Sequence, residues 1–425
     1  MSETAWDQVR EQCPHVDKVD LLVGLPTFNQ ATTAETVTKS ILAGLKESFP
    51  TLSLLVVNVD VGSQDGTSEI IKRTVGNLVP FALVQPLTED MRVNPFAVNR
   101  LSYSGMPGRE EAFHSLFAIT ERLEAKACVV IDASVRSVTS DWMTLLGQVV
   151  LEKGADYVAP IFQRRRYEGS LTNSLIAPLT RALYGKRVAC QTGGGYGFSG
   201  KLASLYLQKD VWTGESARFG IDSWLTTVAA AEGCQIFQAF LGAKTQDGKA
   251  TGADVAGVLA QAVGATFHYM ERYEDVWESV SGSTGVPEVG QRAQREAESQ
   301  AINVERMVTG FRQGLRDLLP IWEIILAPDT LAGILPLGLS QEDDFCFPLP
   351  LWVQTVYDFA IAYHERLIHR EHLLKSLTPL YLGRTASLVL ETKDGGYDEV
   401  ERAIEQGCQI FESMKPYLAE RWRFQ

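Results

Sequence analysis

From Asp20 onward the chain alternates short, continuously apolar runs with longer segments whose apolar positions recur every three or four residues. The runs DLLVGLP (20–26), TLSLLVVNVD (51–60) and FALVQP (81–86) read as buried strands, and TTAETVTKSILAGLKESF (32–49) and TSEIIKRTVGNLV (67–79) between them as amphipathic helices. A strand–helix–strand series of this kind forms parallel, right-handed crossovers. A further helix is predicted over 110–126, where Ala112, Leu116, Ile119 and Leu123 share a face, followed by a buried strand at Ala127–Ile131 that ends in Asp132.

The pattern changes at 279–290, SVSGSTGVPEVG, which is small and turn-forming and reads as a connection. After it the period is helical: Val304, Val308, Phe311, Leu315 and Leu318 share a face over 292–319, a second helix is expected over 351–374 and a third over 398–418. The expected organisation is an α/β domain over 1–278, a linker over 279–291 and a helical C-terminal region over 292–425.

Composition narrows the class. The 425 residues carry 39 lysines and arginines against 52 aspartates and glutamates, a net charge of −13, which argues against nonspecific capture of nucleic acid or anionic membrane. The 6 cysteines are scattered with no CxxC, so neither a zinc cage nor a disulfide framework is suggested and reduced thiols in the cytoplasm are expected. The N-terminus lacks the basic-then-apolar pattern of a signal peptide, and the most apolar stretch, Ile321 to Leu339, is interrupted by Glu323, Pro328, Asp329 and Pro336, so no membrane span is expected. No Walker loop, GxSxG or Rossmann GxGxxG is present.

Two loops follow the first two strands: Gly24-Leu25-Pro26-Thr27-Phe28-Asn29-Gln30, and Asn58-Val59-Asp60-Val61-Gly62-Ser63-Gln64-Asp65-Gly66-Thr67. Asp65 precedes a helix and reads as a cap, whereas Asp60, ending a central strand, is placed to accept hydrogen bonds from a base or ribose. Together these loops resemble the nucleotide-sugar-dependent glycosyltransferases of the GT-A fold, whose second strand typically ends in a pattern like VDDGSTDGT. Here it reads VNVDVGSQDGT, with Val61 in place of one aspartate.

The resemblance extends over 20–275 through further patches in the same order. It implies that Pro26, Thr27, Asn29 and Asp60 hold the nucleoside. Arg109, in PGREEA, stands where a lysine usually approaches the donor diphosphate, and a guanidinium there is suited to a bidentate phosphate clamp. In VVIDAS, Asp132, Ala133 and Ser134 occupy the position of the DxD signature, so Asp132 and Ser134 are the implied holders of Mg²⁺ or Mn²⁺ with the donor. In QTGGGYG, Gly194 and Gly195 shape the sugar pocket, and Tyr196 stands where a glutamate is common.

The segment RFGIDSW is similar to the GID or GVE motif of retaining synthases that make mannosylglycerate and glucosyl-3-phosphoglycerate, which makes Asp222 the implied catalytic residue. RYEGSLTN resembles the acceptor-binding stretch of that group, implying Arg166, Thr172 and Asn173, with Tyr196, as acceptor residues. Ser170 replaces its phosphate-binding arginine and favours an uncharged-tail acceptor such as glycerate. In LGAKTQDG, Gln246 takes the place of a metal-binding histidine, with Asp247 beside it as the alternative ligand. Plain structural roles stay open beside these: a helix cap for Asp222, a solvated helix end for Arg109, a mobile loop for the glycines.

The implied activity is retaining transfer of a hexose from a nucleoside-diphosphate sugar to a small hydroxy acid, as in compatible-solute synthesis. The alternatives are an inverting enzyme with Asp222 as general base, and a degenerate GT-A module that binds without turnover. Tyr381 and Arg384 are expected on a turn that covers the active site or meets a second subunit, with core packing and a solvent-facing arginine as an equal alternative, and the resembled group often forms dimers.

Overall fold

The computed structural model describes residues 2–86, 106, 108–189, 193–209, 212, 221–245, 255–292 and 302–423. The chain forms two compact units, neither continuous in sequence: one takes 1–163, 191–252 and 286–293, the other 164–190, 253–285 and 294–425. Along the chain the strands are β1 (Leu21–Thr27), β2 (Leu54–Asp60), β3 (Phe81–Val84), β4 (Ala127–Ile131), β5 (Tyr157–Gln163), β6 (Lys186–Arg187), β7 (Gly195–Ser199), β8 (Ile236–Ala243), β9 (Thr284–Gly285) and β10 (Glu288–Val289).

The first unit is a sheet of order β10-β8-β5-β7-β4-β1-β2-β3. Its pairings are parallel except those of β7, which runs antiparallel between β4 and β5. The strands are continuously apolar because both faces are covered. On one face Leu21, Val23 and Leu25 of β1 pack with Val37, Ile41 and Leu45 of the Ala31–Ser48 helix and with Trp142 and Leu146. On the other, Phe113 and Phe117 of the Arg109–Arg122 helix meet Tyr196 and Phe198 of β7, with Tyr157 of β5 stacked on Phe198. Each such side chain, once buried, contributes about 1.5–3 kcal/mol. The mostly parallel sheet flanked by helices, with a mainly helical C-terminal region, is the fold class expected from the pattern.

The second unit is helical, with β6 and β9 as a short parallel pair. The stretch expected as a linker therefore carries β9 in this unit and β10 in the other. The helix predicted over 292–319 is seen as Val304–Asp317, capped by Asn303, whose side chain accepts from Arg306 N at 2.8 Å; residues 293–301 lie outside the described residues. The helix predicted over 351–374 is two, Leu349–Glu365 and Arg370–Ser376, because Arg366 takes a left-handed φ of 56° and ends the first. The third is likewise two, Tyr397–Ser413 and Lys415–Arg423, with Pro416 in the first turn of the second, where it is tolerated.

Tyr381 and Arg384 are not on a turn. They lie inside the Thr378–Thr392 helix, which has Pro379 in its first turn, and both are buried. Arg384 donates to both carboxylate oxygens of Glu391 at 2.7 and 2.9 Å and to the Phe347 carbonyl at 2.9 Å. Among the described residues no helix is long and apolar enough to cross a membrane.

Candidate active site

Parallel strands deliver their C-terminal ends to one edge of a sheet, and ligands of such sheets bind beyond that edge. In the first unit this edge receives Thr27 from β1, Asp60 from β2, Asp132 after β4 and Lys244 after β8. Because β7 runs the other way, its first residue, Gly195, lies opposite Ile131, and the Gly194 carbonyl accepts from Asp132 N at 2.7 Å.

The two N-terminal loops are tied to one another. Asp60 is buried and accepts from Gly62 N (2.8 Å), Ser63 N (2.7 Å), Thr27 Oγ1 (3.2 Å) and Ser68 Oγ (2.6 Å). A carboxylate offers about four such acceptor sites, so Asp60 holds this loop in shape with its full capacity. Asn29, at φ 55°, donates its backbone N–H to Ser63 Oγ and accepts from Gln64 N, both at 2.9 Å. Pro26 lies in β1 beside Val59, and the Ala133 carbonyl accepts from Thr33 Oγ1 at 2.6 Å. The residues expected to hold the nucleoside thus form a pre-shaped pair of loops.

Beside them is a buried charge cluster. Gly108, at φ 64°, turns the chain into the Arg109–Arg122 helix, so that Arg109 enters the interior and is only 1% exposed. Its Nε and Nη2 donate to Asp222 Oδ2 and Oδ1 at 3.1 and 2.9 Å, and its Nη1 donates to Asp132 Oδ2 at 3.4 Å. Asp222 opens the Ile221–Ala231 helix and is 5% exposed. The Tyr196 hydroxyl donates to Asp222 Oδ1 and accepts from Gly193 N, both at 2.6 Å.

Burial alone would raise the Asp222 carboxyl, but the Arg109 charge and the bonds from Arg109 and Tyr196 outweigh it and hold the group below the usual carboxylate range. Burial and the neighbouring Asp222 push the Tyr196 phenol well up, so it stays a neutral donor. Asp222 is therefore an ionised carboxylate with fixed geometry. Tyr196, expected among the acceptor residues, spends its hydroxyl on Asp222 and Gly193.

Gly193 and Gly194 take φ of 74° and 93°, and a Cβ at Gly194 would lie 2.3 Å from Phe162 Cζ. We expect Gly194→Ala to cost about 2–4 kcal/mol from backbone strain and overpacking together, measured by denaturant unfolding; a loss below about 0.5 kcal/mol would mean the segment is not held this way. A Cβ at Gly193 would lie 2.8 Å from Lys244 Nζ and 3.8 Å from Asp132 Oδ2, so the ammonium and that carboxylate flank one point.

In the second unit, Thr172 starts a π turn (Thr172–Ile176) and is buried, and Asn173 Nδ2 donates to the Glu168 carbonyl at 3.5 Å. Arg166 lies over the Tyr167 ring, donates from Nη1 to the Lys393 carbonyl at 3.4 Å, and leaves Nε and Nη2 buried without a hydrogen-bond partner among the described residues. Ser170 Oγ is 2.5 Å from the Tyr381 hydroxyl.

Gln246 lies outside the described residues, as do Arg218, Phe219 and Gly220. Among the described residues no three His, Cys, Asp or Glu gather to hold a metal ion. Asp132 Oδ1 accepts from Ser134 N and Oγ at 3.1 and 2.7 Å. Magnesium is commonly held by one or two carboxylates, substrate phosphates and water, and Asp132 with Ser134 fits a cation that arrives with its phosphates. Lys244, which the sequence reading did not single out, lies directly after β8 at this edge.

Neither a family model nor a curated protein sequence matches the chain. Solved structures do: glucosyl-3-phosphoglycerate synthase from Mycobacterium tuberculosis with Mn²⁺, uridine diphosphate and phosphoglyceric acid is 19% identical, with 62% of this chain and 81% of that chain covered and a TM-score of 0.42. The same synthase with Mg²⁺ and uridine diphosphate gives 18%, 63%, 83% and 0.42. A likeness this distant assigns no residue of this chain a role.

Proposed function

We propose that the protein is a retaining glycosyltransferase of the GT-A fold that moves a hexose from a nucleoside-diphosphate sugar to a small hydroxy acid such as glycerate. The observation that carries this reading is the ionised Asp222, fixed by Arg109 and Tyr196 beside Asp132 at the ligand edge of the parallel sheet. Transfer breaks the bond from the anomeric carbon to the diphosphate oxygen, and the electron pair leaves with the nucleoside diphosphate. The sugar then carries positive charge that a pre-fixed carboxylate stabilises without reorganisation.

The acceptor oxygen forms the new bond on the face the diphosphate leaves, and its proton passes to the departing phosphate oxygen. Asp222, held below the usual carboxylate range by Arg109, is a weak base, which weighs against the inverting alternative. Thr27, Asn29 and Asp60 shape the nucleoside loops, Gly194 and Gly195 the sugar side, and Arg166, Thr172 and Asn173 are assigned to the acceptor. Asp132 and Ser134, with Gln246 as the further ligand the resemblance implies, would hold a divalent cation, which would supply charge neutralisation of the diphosphate.

The test is NMR of the product made from nucleoside-diphospho-glucose or -mannose and glycerate with Mg²⁺ or Mn²⁺. We expect the donor's anomeric configuration in the product. An inverted product overturns the retaining assignment, and nucleotide binding with neither transfer nor donor hydrolysis under any metal leaves a non-catalytic module.

A further inference from the structure

We infer that Tyr196 is a positioning residue for the transfer: its hydroxyl holds the Asp222 carboxylate by Oδ1 and leaves Oδ2 as the oxygen available to the substrate; this rests on the transferase reading above. A phenol stands here where the resembled family commonly carries a glutamate.

The Tyr196 side chain is fixed before it bonds to anything. It is 1% exposed on β7, where Tyr196 lies opposite Val130 of β4. Its ring stacks on Tyr157 of β5 with centroids 6.3 Å apart, meets Phe113 edge-on at 6.2 Å and lies 6.0 Å from Phe198. Close packing of this kind leaves the phenol oxygen one place to be.

A hydroxyl has one proton, and burial keeps it on the phenol. The ionised Asp222 only accepts, so the proton goes to Oδ1 and the Gly193 N–H donates to the phenol oxygen. The bonds thus run in one direction, from the glycine segment through Tyr196 to Asp222, each at 2.6 Å, and bonds in such a chain strengthen one another. Oδ1 also accepts from Arg109 Nη2 at 2.9 Å, whereas Oδ2 accepts from Arg109 Nε at 3.1 Å. Each carboxylate oxygen offers about two acceptor sites, so among the described residues the capacity left on Asp222 is on Oδ2. Arg109 grips the carboxylate from its own helix and Tyr196 from β7, and two grips from separate elements hold its orientation while positive charge develops at the anomeric carbon.

The experiment compares the unmodified full chain with Tyr196→Phe, which keeps the ring and removes only the hydroxyl, and with Phe198→Leu, which loosens the same aromatic packing and leaves the hydroxyl. Turnover of nucleoside-diphospho-glucose or -mannose with Mg²⁺, with glycerate or water as acceptor, is measured beside calorimetric titration of UDP, GDP and ADP and thermal unfolding. We expect Tyr196→Phe to lower kcat by about ten- to a hundred-fold while donor KM and nucleotide affinity stay within about three-fold. Phe198→Leu is expected to lower the unfolding midpoint with kcat held within about three-fold. Equal kcat for Tyr196→Phe and the unmodified protein overturns the positioning role and leaves the transferase reading intact. A loss of kcat in Phe198→Leu as large as that in Tyr196→Phe, or a fall in nucleotide affinity that matches the fall in kcat, shows that the tyrosine acts through packing and also overturns the role. An unmodified protein that neither transfers nor hydrolyses any of these donors overturns the transferase reading itself, and the role with it.

Discussion

Replacing Arg109 by methionine is expected to destabilise the first unit by about 3–5 kcal/mol, the cost of leaving buried carboxylates without their cation. Asp222 and Asp132 both face that guanidinium, and neither is more than 6% exposed. Asp222→Leu alone leaves the buried guanidinium with Asp132 as its counter-charge, at 3.4 Å, and should cost somewhat less. The double variant Arg109→Met with Asp222→Leu removes the buried pair, and it should recover most of the loss because an apolar replacement of a buried ion pair is often neutral or better. Transfer should be lost in all of them. Denaturant unfolding of the singles and the double checks this; losses that simply add would show that the pair is not coupled.

The same pair fixes a pH dependence. The Asp222 carboxyl is lowered in the folded chain, so its contribution is present above its unfolded value and is lost as pH falls through the lower folded value. In Arg109→Met the carboxyl is buried without a cation and its value moves up, so that variant is weakest near neutrality and regains stability as pH falls toward the unfolded carboxyl range. The gap between the two proteins should narrow on acidification. A gap that widens would mean that Arg109 acts through packing.

Glu391→Ala in the second unit is expected to cost about 2–4 kcal/mol, somewhat under the range for a fully buried pair because the Glu391 side chain is 34% exposed. The variant strands the Arg384 guanidinium, 1% exposed, with the Phe347 carbonyl as its remaining partner. Arg384→Met should be milder, about 1–2 kcal/mol, since Glu391 can turn to water and only the carbonyl loses its donor. Unfolding midpoints in urea check the order. If Arg384→Met proves the costlier change, the arginine contributes mainly by filling space.

The sequence by itself determined the local elements of the first unit. β1 to β4 and the helices that cross between them were legible because the apolar period of each lies within a short window, and because strands covered on both faces need continuous apolar runs. It also marked Asp132 and Asp222 as chemistry-bearing residues at the ends of elements. The breaks at Arg366 and Met414 were not legible, since a periodic face does not show where a single residue leaves the helical conformation, left-handed at Arg366 and at φ −92°, ψ 0° at Met414. Nor was the helix through Tyr381 and Arg384, where a small-residue stretch looked like a turn until Arg384 found Glu391 one face along the same helix.

Only the tertiary structure decided the site. The insertion of β7 antiparallel between β4 and β5 brings Tyr196 and the glycine segment to Asp132, and strand order follows from pairings far apart in the chain. Arg109 and Asp222 stand 113 residues apart, so their mutual neutralisation leaves no trace in either local pattern. That pairing holds the Arg109 guanidinium between two carboxylates in the interior. Residue type states what a side chain is able to do, but its charge is available to a ligand only if nothing buried with it has already taken that charge up.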